Sequence, residues 1–262
     1  MEIVILPTAE EVGRLAAARI VHLVSAKPHA TLGLATGSSP IAIYTELAVW
    51  RKRGIDFSQI SAFALDEYVG LPPSHSQSYA TVIQEEVVEP LGLDPQRVHV
   101  PDGLAQDLDA AGNAYETAIA AAGGIELQIL GIGTNGHIGF NEPTSSFQSR
   151  TRVKTLSGRT REDNARFFPS LAEVPTHCIT QGLGTILDAG ELLLVAQGER
   201  KAEAVLAAVE GPLTSKVPAS ILQWHRRATV ILDEAAASKL QLADYYRYTY
   251  ANKPLDETSS LF

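Results

Sequence analysis

Cysteine and long apolar runs are the scarcest features of this chain of 262 residues. Its one cysteine, Cys178, excludes an internal disulfide framework and the Cys/His clusters of structural zinc sites. A reducing, cytoplasmic location is therefore expected. No segment reaches the ~18 consecutive apolar residues that a membrane-spanning helix needs, and no basic region precedes an apolar run at the start of the chain. We expect no membrane partner and no targeting signal.

Basic and aromatic residues are also sparse. There are 21 Lys and Arg against 30 Asp and Glu, which gives a net charge of −9, and aromatic residues make up 6% of the chain. Because the basic residues form no block, a general nucleic-acid surface is not expected. An anionic ligand would have to be held by a few locally placed cations.

Apolar residues, in contrast, make up 45% of the chain, enough to bury a sizeable core, and we expect one domain over residues 1–262. Short apolar runs alternate with longer amphipathic ones, with Thr8 as the first helix cap. The predicted fold is α/β, a doubly wound, mostly parallel, Rossmann-like sheet with helices on both faces. The tail after Asn252 is expected to be loosely ordered. The predicted strands cover residues 2–6, 31–35, 61–65, 126–131, 192–196 and 229–232.

The segment TGSSP, residues 36–40, follows a predicted strand and precedes a helix that we expect to begin near Ile41. Ser39 suits the helix cap, Pro40 suits the first turn, and Gly37 lets the backbone approach a ligand closely. The free N–H groups, the hydroxyls and the helix dipole would together hold a phosphate. An ordinary turn is the alternative, because no Walker lysine follows.

Asp66-Glu67-Tyr68 stands where the third predicted strand ends. Carboxylates at the carboxyl end of a parallel strand lie on the edge where α/β sheets bind ligands. This position makes Asp66 a candidate general base. A solvated loop carboxylate is the alternative for either acid.

The segment richest in chemical side chains is GIGTNGHIGFNEP, residues 131–143. It contains a formal G-x-G-x-x-G, but Gly139, Asn141 and Pro143 do not predict the helix which that motif must open. The acidic ribose partner expected ~20 residues later is also missing. A dinucleotide site is therefore not predicted.

His137 lies in this loop, with Asn135 before it and Glu142 after it. A neutral imidazole moves protons near neutral pH when a carboxylate or an amide oxygen fixes its tautomer. We therefore predict that His137 is catalytic and that Asn135 and Glu142 support it. A structural histidine in a polar turn is the alternative.

A few basic residues stand out in this acidic chain: Arg150, Arg152 and Lys154 in SRTRVKTL, Arg166, and Lys201 at the start of a predicted helix. Taken singly, each is most simply a solvated surface charge. An acidic protein that binds a phosphate would nevertheless use some of them.

Five segments, in this order, resemble the glucosamine-6-phosphate deaminase family: LGLATGSSP, ALDEYVGL, GIGTNGHIGFNEP, SRTRVKTL and GERKAEAVLAAVEG. The resemblance implies a doubly wound α/β sheet with a lid over the sugar and no metal or organic cofactor. It also implies a small-molecule sugar phosphate as the partner: glucosamine 6-phosphate would be isomerised and deaminated to fructose 6-phosphate and ammonia, in amino-sugar catabolism.

Carried over by position, the resemblance makes Asp66 the base that takes a proton from C2 and returns one to C1. His137 is the residue that opens the pyranose ring, held by Asn135 and Glu142. The phosphate site is formed by Gly37, Ser38, Ser39, Arg166 and Lys201.

These residue types suit the chemistry. Ring opening needs a proton at the ring oxygen, and abstraction at C2 needs a base that is ionised when the substrate arrives. The zinc-deaminase signature, H-x-E followed by P-C-x-x-C, is absent. Some family members carry aspartate where this chain has Asn135, so Glu142 is expected to be the charged support of the histidine here.

In allosteric members of the family, N-acetylglucosamine 6-phosphate binds at a subunit interface. The matching residues here are Ser146, Arg152 and Lys154, and an extended segment would turn both cations to one face. We treat the three as candidate allosteric residues of a homo-oligomer. An exposed basic strand is the alternative.

Two other functions stay open. A 6-phosphogluconolactonase-like hydrolase would share the fold, although the DEYVGL motif argues against it. A non-catalytic sugar-phosphate-sensing domain of a transcription regulator would carry a DNA-binding segment, and this chain begins directly with its first predicted strand. Ammonia release from glucosamine 6-phosphate would separate the three functions.

Overall fold

The computed structural model describes residues 1–254. Most of the tail after Asn252, predicted to be loosely ordered, lies outside the described residues. Within them, no helix is both long and apolar enough to cross a bilayer.

Ten strands lie in the described part of the chain. In chain order they are β1 (Glu2–Leu6), β2 (Thr31–Leu34), β3 (Ser61–Ala64), β4 (Asp66–Tyr68), β5 (Val98–His99), β6 (Leu127–Leu130), β7 (Arg152–Thr155), β8 (His177–Thr180), β9 (Glu191–Ala196) and β10 (Ala228–Asp233).

The α-helices of the same residues vary from one turn to five. They are α1 (Ala9–Ala26), α2 (Ser38–Lys52), α3 (Tyr79–Ile83), α4 (Glu89–Leu91), α5 (Leu108–Ala121), α6 (Gly158–Asn164), α7 (Leu183–Leu187), α8 (Ala202–Val209) and α9 (Ala243–Ala251). A π-helical turn, Gln84–Val88, joins α3 to α4. Short 3₁₀ helices cover Pro95–Arg97, Ala165–Phe167, Leu171–Glu173, Glu199–Lys201 and Pro218–Trp224.

Seven strands form one parallel sheet in the order β1-β10-β9-β6-β2-β3-β5. From β2 the chain moves outward to β3 and β5, whereas from β6 it moves to β9 and β10 on the other side. The strand order therefore reverses between β2 and β6. A crevice for a ligand opens outside the carboxyl ends of the strands at such a switch point.

The predicted fold class is confirmed, since this sheet is parallel and surrounded by helices. Almost every residue of β9 and β10 is buried, as expected for parallel strands that are covered on both faces. Each of the six predicted strands is present, with ends shifted by no more than one residue.

A second, three-stranded sheet in the order β4-β8-β7 was not predicted. Both of its pairings are antiparallel. Its first strand, β4, follows β3 after the single residue Leu65, so no turn residue in the sequence separates the two strands. The other two strands have four residues each, too few for alternation to distinguish them from loop.

The start of α1 was predicted correctly, because the Thr8 hydroxyl accepts the Glu11 N–H at 3.2 Å. The predicted start of α2 was wrong. This helix begins at Ser38 instead of near Ile41, and its cap is Gly37 instead of Ser39. Gly37 has φ +94°, a conformation that glycine adopts without strain, so the chain turns at Gly37 and the helix begins at the next residue, Ser38. Pro40 still lies in the first turn, where its missing N–H costs nothing.

Candidate active site

A cavity of about 580 Å³ lies at the carboxyl ends of β2, β3, β6 and β9. This volume is in the range of small-molecule sites. Of the residues selected from the sequence, its wall contains Gly37, Ser38, Ser39, Asp66, His137, Arg166 and Lys201. Asn135 and Glu142 do not form the wall; they lie behind His137 in a chain of hydrogen bonds.

Asp66 is the first residue of β4, and only 5% of its surface is exposed. Burial, and then the charge of Glu67, raise the pKa of the Asp66 carboxyl to about 8, against the opposing effect of the Thr180 hydroxyl and the Phe140 N–H. Surrounded by these protein groups, the carboxyl is therefore mostly protonated at neutral pH, which differs from the ionised base that was expected. A group with a pKa near the working pH is well placed both to take and to return a proton.

Glu67, the neighbouring acid, has a different task. Its carboxylate accepts the backbone N–H groups of Tyr68 at 2.7 Å, Tyr79 at 3.0 Å and Ala80 at 2.9 Å. Two of these donors belong to the first turn of α3, where a carboxylate also meets the positive end of the helix dipole. Glu67 therefore ties β4 to α3 and does not form part of the cavity wall.

His137 is held by a relay of hydrogen bonds. The Asn135 amide donates from Nδ2 to Oε2 of Glu142 at 2.7 Å, so its Oδ1 faces His137 Nδ1, also at 2.7 Å. Since Oδ1 can only accept, Nδ1 carries the proton. Nε2 is then the nitrogen with the free electron pair, and it is the one that can accept a proton from a ligand.

The relay sets the charges of its two ends. Burial lowers the pKa of His137 to about 4, although Glu142 favours the charged imidazole. Burial acts to raise the pKa of Glu142, but hydrogen bonds from the Thr160 side chain and the Ser157 N–H lower it overall. At neutral pH the relay therefore consists of a neutral imidazole, an amide and a carboxylate.

The glycines of this loop allow the histidine to lie flat against the backbone. A Cβ added to Gly133 would lie 2.2 Å from the His137 ring. The motif that formally matches a dinucleotide fingerprint thus makes room for an imidazole, and no helix follows it.

Cations gather at one end of the cavity. Lys201 donates to the carbonyl of Ile132 at 2.7 Å. Burial lowers its pKa, Asp163 opposes this, and the neighbouring charges of Arg166 and Arg200 lower it further. Nη2 of Arg166 lies 3.4 Å from the Ser38 hydroxyl in the first turn of α2. Crowded cations beside a helix N-terminus are typical of a phosphate site.

Residues 157–174, which we call the covering segment, close one side of the cavity. The segment includes α6 and contributes Asp163, Asn164, Arg166 and Phe168 to the wall. Asn164 donates to the Tyr68 hydroxyl at 3.0 Å. Phe168 and Val174 pack with Tyr68, Phe140, Leu156 and Cys178 in a small second core. This segment lies where a lid over the cavity was expected.

Two contributors to the site were missed at the sequence level. Asp163 accepts the Thr134 hydroxyl at 2.6 Å and pairs with Arg200 at 3.4 Å, so it joins the covering segment to two cavity loops. Asp163 lies inside the charged run REDNAR, residues 161–166, where its sequence context indicated only a surface charge. Thr180 touches Asp66 from a strand that was not predicted, and no pattern in the sequence marked it.

The basic residues of SRTRVKTL lie outside the cavity wall. Arg150, a candidate for phosphate binding, instead pairs with Glu116 and Asp188, both at 2.6 Å. Arg152 and Lys154 lie on β7, where alternation turns them to one face. Nη1 of Arg152 is buried and has no hydrogen-bond partner. Ser146 is exposed in the preceding loop.

One cavity thus brings together a buried carboxyl, a neutral imidazole on a relay and a cluster of cations, groups that can move protons and attract an anion. The family described as glucosamine-6-phosphate isomerases/6-phosphogluconolactonase matches residues 7–231. This chain belongs to that family.

Close relatives cover nearly the whole chain. The glucosamine-6-phosphate deaminase of Pseudarthrobacter chlorophenolicus is 59% identical over 254 residues, which is 97% of this chain and 98% of that protein. The glucosamine-6-phosphate deaminase of Streptomyces coelicolor is 56% identical over 256 residues, again 97% of this chain and 98% of that protein.

Solved structures agree on the fold. A monomeric glucosamine-6-phosphate deaminase superposes with a TM-score of 0.89 at 40% identity, over 91% of this chain and 99% of that one. The 6-phosphogluconolactonase of Trypanosoma brucei gives a TM-score of 0.74 at 19% identity, over 91% of this chain and 98% of that one. At such low identity the second likeness concerns the fold alone.

Proposed function

We propose that this chain is a glucosamine-6-phosphate deaminase, which converts glucosamine 6-phosphate and water to fructose 6-phosphate and ammonia. The observation that carries the proposal is the meeting of Asp66, His137 and the cation cluster in one cavity of sugar-phosphate size. The deaminases named above, which match this chain nearly from end to end, support it.

The phosphate of the substrate would lie between Arg166, Lys201 and the first turn of α2. Two cations and the unpaired N–H groups of a helix start would balance a dianion. Asp163, which pairs with Arg200 and lies near Lys201, would keep Arg200 and Lys201 oriented before the substrate arrives. Anchoring the sugar at C6 leaves C1 and C2 toward the other end of the cavity.

Ring opening would fall to His137. Its Nε2 takes the proton of the anomeric hydroxyl and delivers it to the ring oxygen as the bond between C1 and that oxygen breaks. The Asn135 oxygen holds the Nδ1 proton in place throughout, and the Glu142 carboxylate stabilises the transient imidazolium through the amide. A neutral resting imidazole suits this exchange, because it must first accept a proton.

Isomerisation would fall to Asp66. Its carboxylate takes the proton from C2 of the open-chain sugar, which leaves an enolamine, and returns a proton to C1. The resulting imine at C2 adds water and expels ammonia, leaving the ketone of fructose 6-phosphate. The substrate ammonium on C2 would lie beside Asp66 and favour its ionised form, which offsets the effect of burial on its pKa.

We further propose the setting of this activity. The chain would act as one domain in amino-sugar catabolism in the cytoplasm, with a sugar phosphate as its partner. It would act on the imine by hydrolysis without a metal or organic cofactor. In residues 1–254, no group of three or more His, Cys, Asp or Glu side chains is arranged to hold a metal ion.

Activation by N-acetylglucosamine 6-phosphate is a second proposal, because one observation favours it. Arg152 carries a buried guanidinium nitrogen without a partner, beside Lys154 on the same face of β7. A phosphate would satisfy both cations. We propose that Ser146, Arg152 and Lys154 bind this effector where subunits meet, in a homo-oligomer.

The test of the main function is a coupled assay of ammonia and fructose 6-phosphate released from glucosamine 6-phosphate by the purified chain. N-acetylglucosamine 6-phosphate, whose nitrogen is acylated, and 6-phosphogluconolactone serve as control substrates. We expect equal amounts of both products and no lactone hydrolysis above the spontaneous rate. Lactone hydrolysis without ammonia release would contradict the proposal.

A further inference from the structure

We propose that Thr180 is a positioning residue that orients the Asp66 carboxylate and couples it to the loop carrying His137. This inference rests on the proposed function, because it assigns Asp66 the role of base. Thr180 does not itself line the cavity, so it would act through the wall residues that it contacts, Asp66 and Phe140.

The register of the small sheet places Thr180 beside the base. Thr180 is the last residue of β8, which lies between β4 and β7, and its cross-strand partner on β4 is Asp66. Side chains of directly opposed residues in an antiparallel pair project to the same face, ~5 Å apart at Cβ. Thr180 is fully buried there, so its hydroxyl depends on protein groups for its hydrogen bonds.

The hydroxyl is committed as an acceptor and uncommitted as a donor. It accepts the Phe140 N–H at 3.1 Å. Its single proton has three acceptors at similar long distances: Asp66 Oδ2 at 3.4 Å, the Gln181 carbonyl at 3.4 Å and the Leu65 carbonyl at 3.5 Å. A hydroxyl has one proton to donate, so rotation about its C–O bond selects one of the three.

Protonation of Asp66 decides that selection. An ionised carboxylate is a stronger acceptor than a backbone carbonyl, so the hydroxyl turns to Asp66 when the base is ready to act. When Asp66 has taken the C2 proton, the hydroxyl can return to a carbonyl without leaving a buried donor unpaired. Thr180 thus favours the reactive charge state of the base and needs no movement of the backbone.

The same hydroxyl also fixes the base relative to the imidazole. Phe140, whose N–H it accepts, follows His137 by three residues in one loop. Asn141 reinforces this attachment by donating to the carbonyl of Gln181, the residue after Thr180, at 2.8 Å. The Asp66 strand and the His137 loop are therefore tied to one point, the end of β8.

The direction of the expected pH effect follows from the groups around Asp66. Burial and the charge of Glu67 raise its pKa to about 8, whereas the Thr180 hydroxyl and the Phe140 N–H act to lower it. Removal of the hydroxyl therefore raises that pKa further. The other titratable or charged groups near the carboxyl are Tyr68, Tyr79, Tyr115 and Cys178, with Arg152 beyond Cys178.

The decisive variant is Thr180→Val, which keeps the shape and removes the hydroxyl. Thr180→Ser keeps the hydroxyl. Thr229→Val is the matched control, because Thr229 is also a buried strand threonine: it lies on β10 and its hydroxyl accepts a hydrogen bond from Arg19 at 3.0 Å. Measured quantities are kcat and KM for glucosamine 6-phosphate from pH 5 to pH 10, and the thermal midpoint of each protein.

For Thr180→Val we expect the rise of kcat/KM with pH, which follows the ionisation of Asp66, to move about one unit higher in pH. At pH 7, kcat should fall roughly ten-fold with KM nearly unchanged. Thr180→Ser should restore both quantities. Thr229→Val should lower the thermal midpoint without moving the pH profile. If Thr180→Val unfolds at the assay temperature, Thr180→Ser and Thr180→Ala make the same comparison, since they differ by the hydroxyl alone.

Three results would overturn the inference: a pH profile of Thr180→Val at the parent position, a serine variant as impaired as the valine variant, or an equal shift in Thr229→Val. Failure of the proposed function looks different, because the parent protein itself would then release no ammonia. An active parent with an unmoved pH profile in Thr180→Val contradicts only the role of Thr180.

Discussion

Replacement of Asp66 by asparagine should stabilise the protein at alkaline pH while it removes activity. Asp66 has a folded pKa of about 8 against its ordinary 3.8. Between these values the unfolded chain has lost the proton and the folded chain keeps it. The folded state binds more protons in this window, so the stability of the parent falls as pH rises through it.

The magnitude follows from the size of that displacement. Each pKa unit corresponds to about 1.36 kcal/mol, so a shift of about four units sets a ceiling of roughly 5 kcal/mol at pH above 8. Water in the open cavity and relaxation around the carboxylate reduce this figure. We expect the difference in unfolding free energy between Asp66→Asn and the parent to grow by about 1–3 kcal/mol from pH 5 to pH 9, in favour of the variant.

The assay is urea unfolding followed by circular dichroism at pH 5, 7 and 9, for the parent, Asp66→Asn and the control Asp109→Asn. Asp109 is an exposed residue in the first turn of α5, so its loss should change stability by a similar small amount at each pH. The contribution of His137 cancels, because all three proteins keep it. A stability difference between parent and Asp66→Asn that does not grow with pH would refute the argument that Asp66 is a buried, poorly compensated base.

Three further predictions concern the remaining parts of the site. Arg166→Ala and Lys201→Ala should each raise KM for glucosamine 6-phosphate about 10–100-fold with thermal midpoints nearly unchanged, and equal saturation curves in parent and variants would remove both residues from the phosphate site. Asn135→Asp should raise the pKa of His137 from about 4 and shift the acidic limb of the rate profile upward by about one unit; an unmoved limb would mean that this side chain does not tune the imidazole. N-acetylglucosamine 6-phosphate should raise the initial rate at low substrate and Arg152→Ala should abolish this response, whereas a monomer with hyperbolic kinetics that ignores the effector would contradict the regulatory proposal.

The sequence was most informative where local chemistry and chain order act together. Parallel strands leave an unbroken apolar run, so six of them could be located to within a residue, and the polar residues that follow them had to meet at one edge of the sheet. For this reason the sequence alone indicates that Asp66, His137 and the TGSSP turn lie near one another.

Contacts between distant segments could not be predicted in this way. Thr180 reaches Asp66 across 114 positions, through a small antiparallel sheet whose strands are too short to show a pattern. Burial of the Asp66 carboxyl, which moves its pKa by several units, depends on the same packing. The cap of α2 was misplaced because serine is the commoner cap in sequence, whereas here the left-handed turn of Gly37 determines the start.

The most direct test of the account is the fate of the hydrogen on C2 of glucosamine 6-phosphate. A substrate with deuterium at C2 is incubated with the parent and with Asp66→Asn, and the label is followed by NMR together with ammonia release. We expect the parent to remove the label from C2 as it forms fructose 6-phosphate. Asp66→Asn should still bind the substrate but release label and ammonia at least ~100-fold more slowly, because a general base typically contributes a factor of that size to the rate. Removal of the C2 label by Asp66→Asn at the parent rate would contradict the central claim that Asp66 is the base.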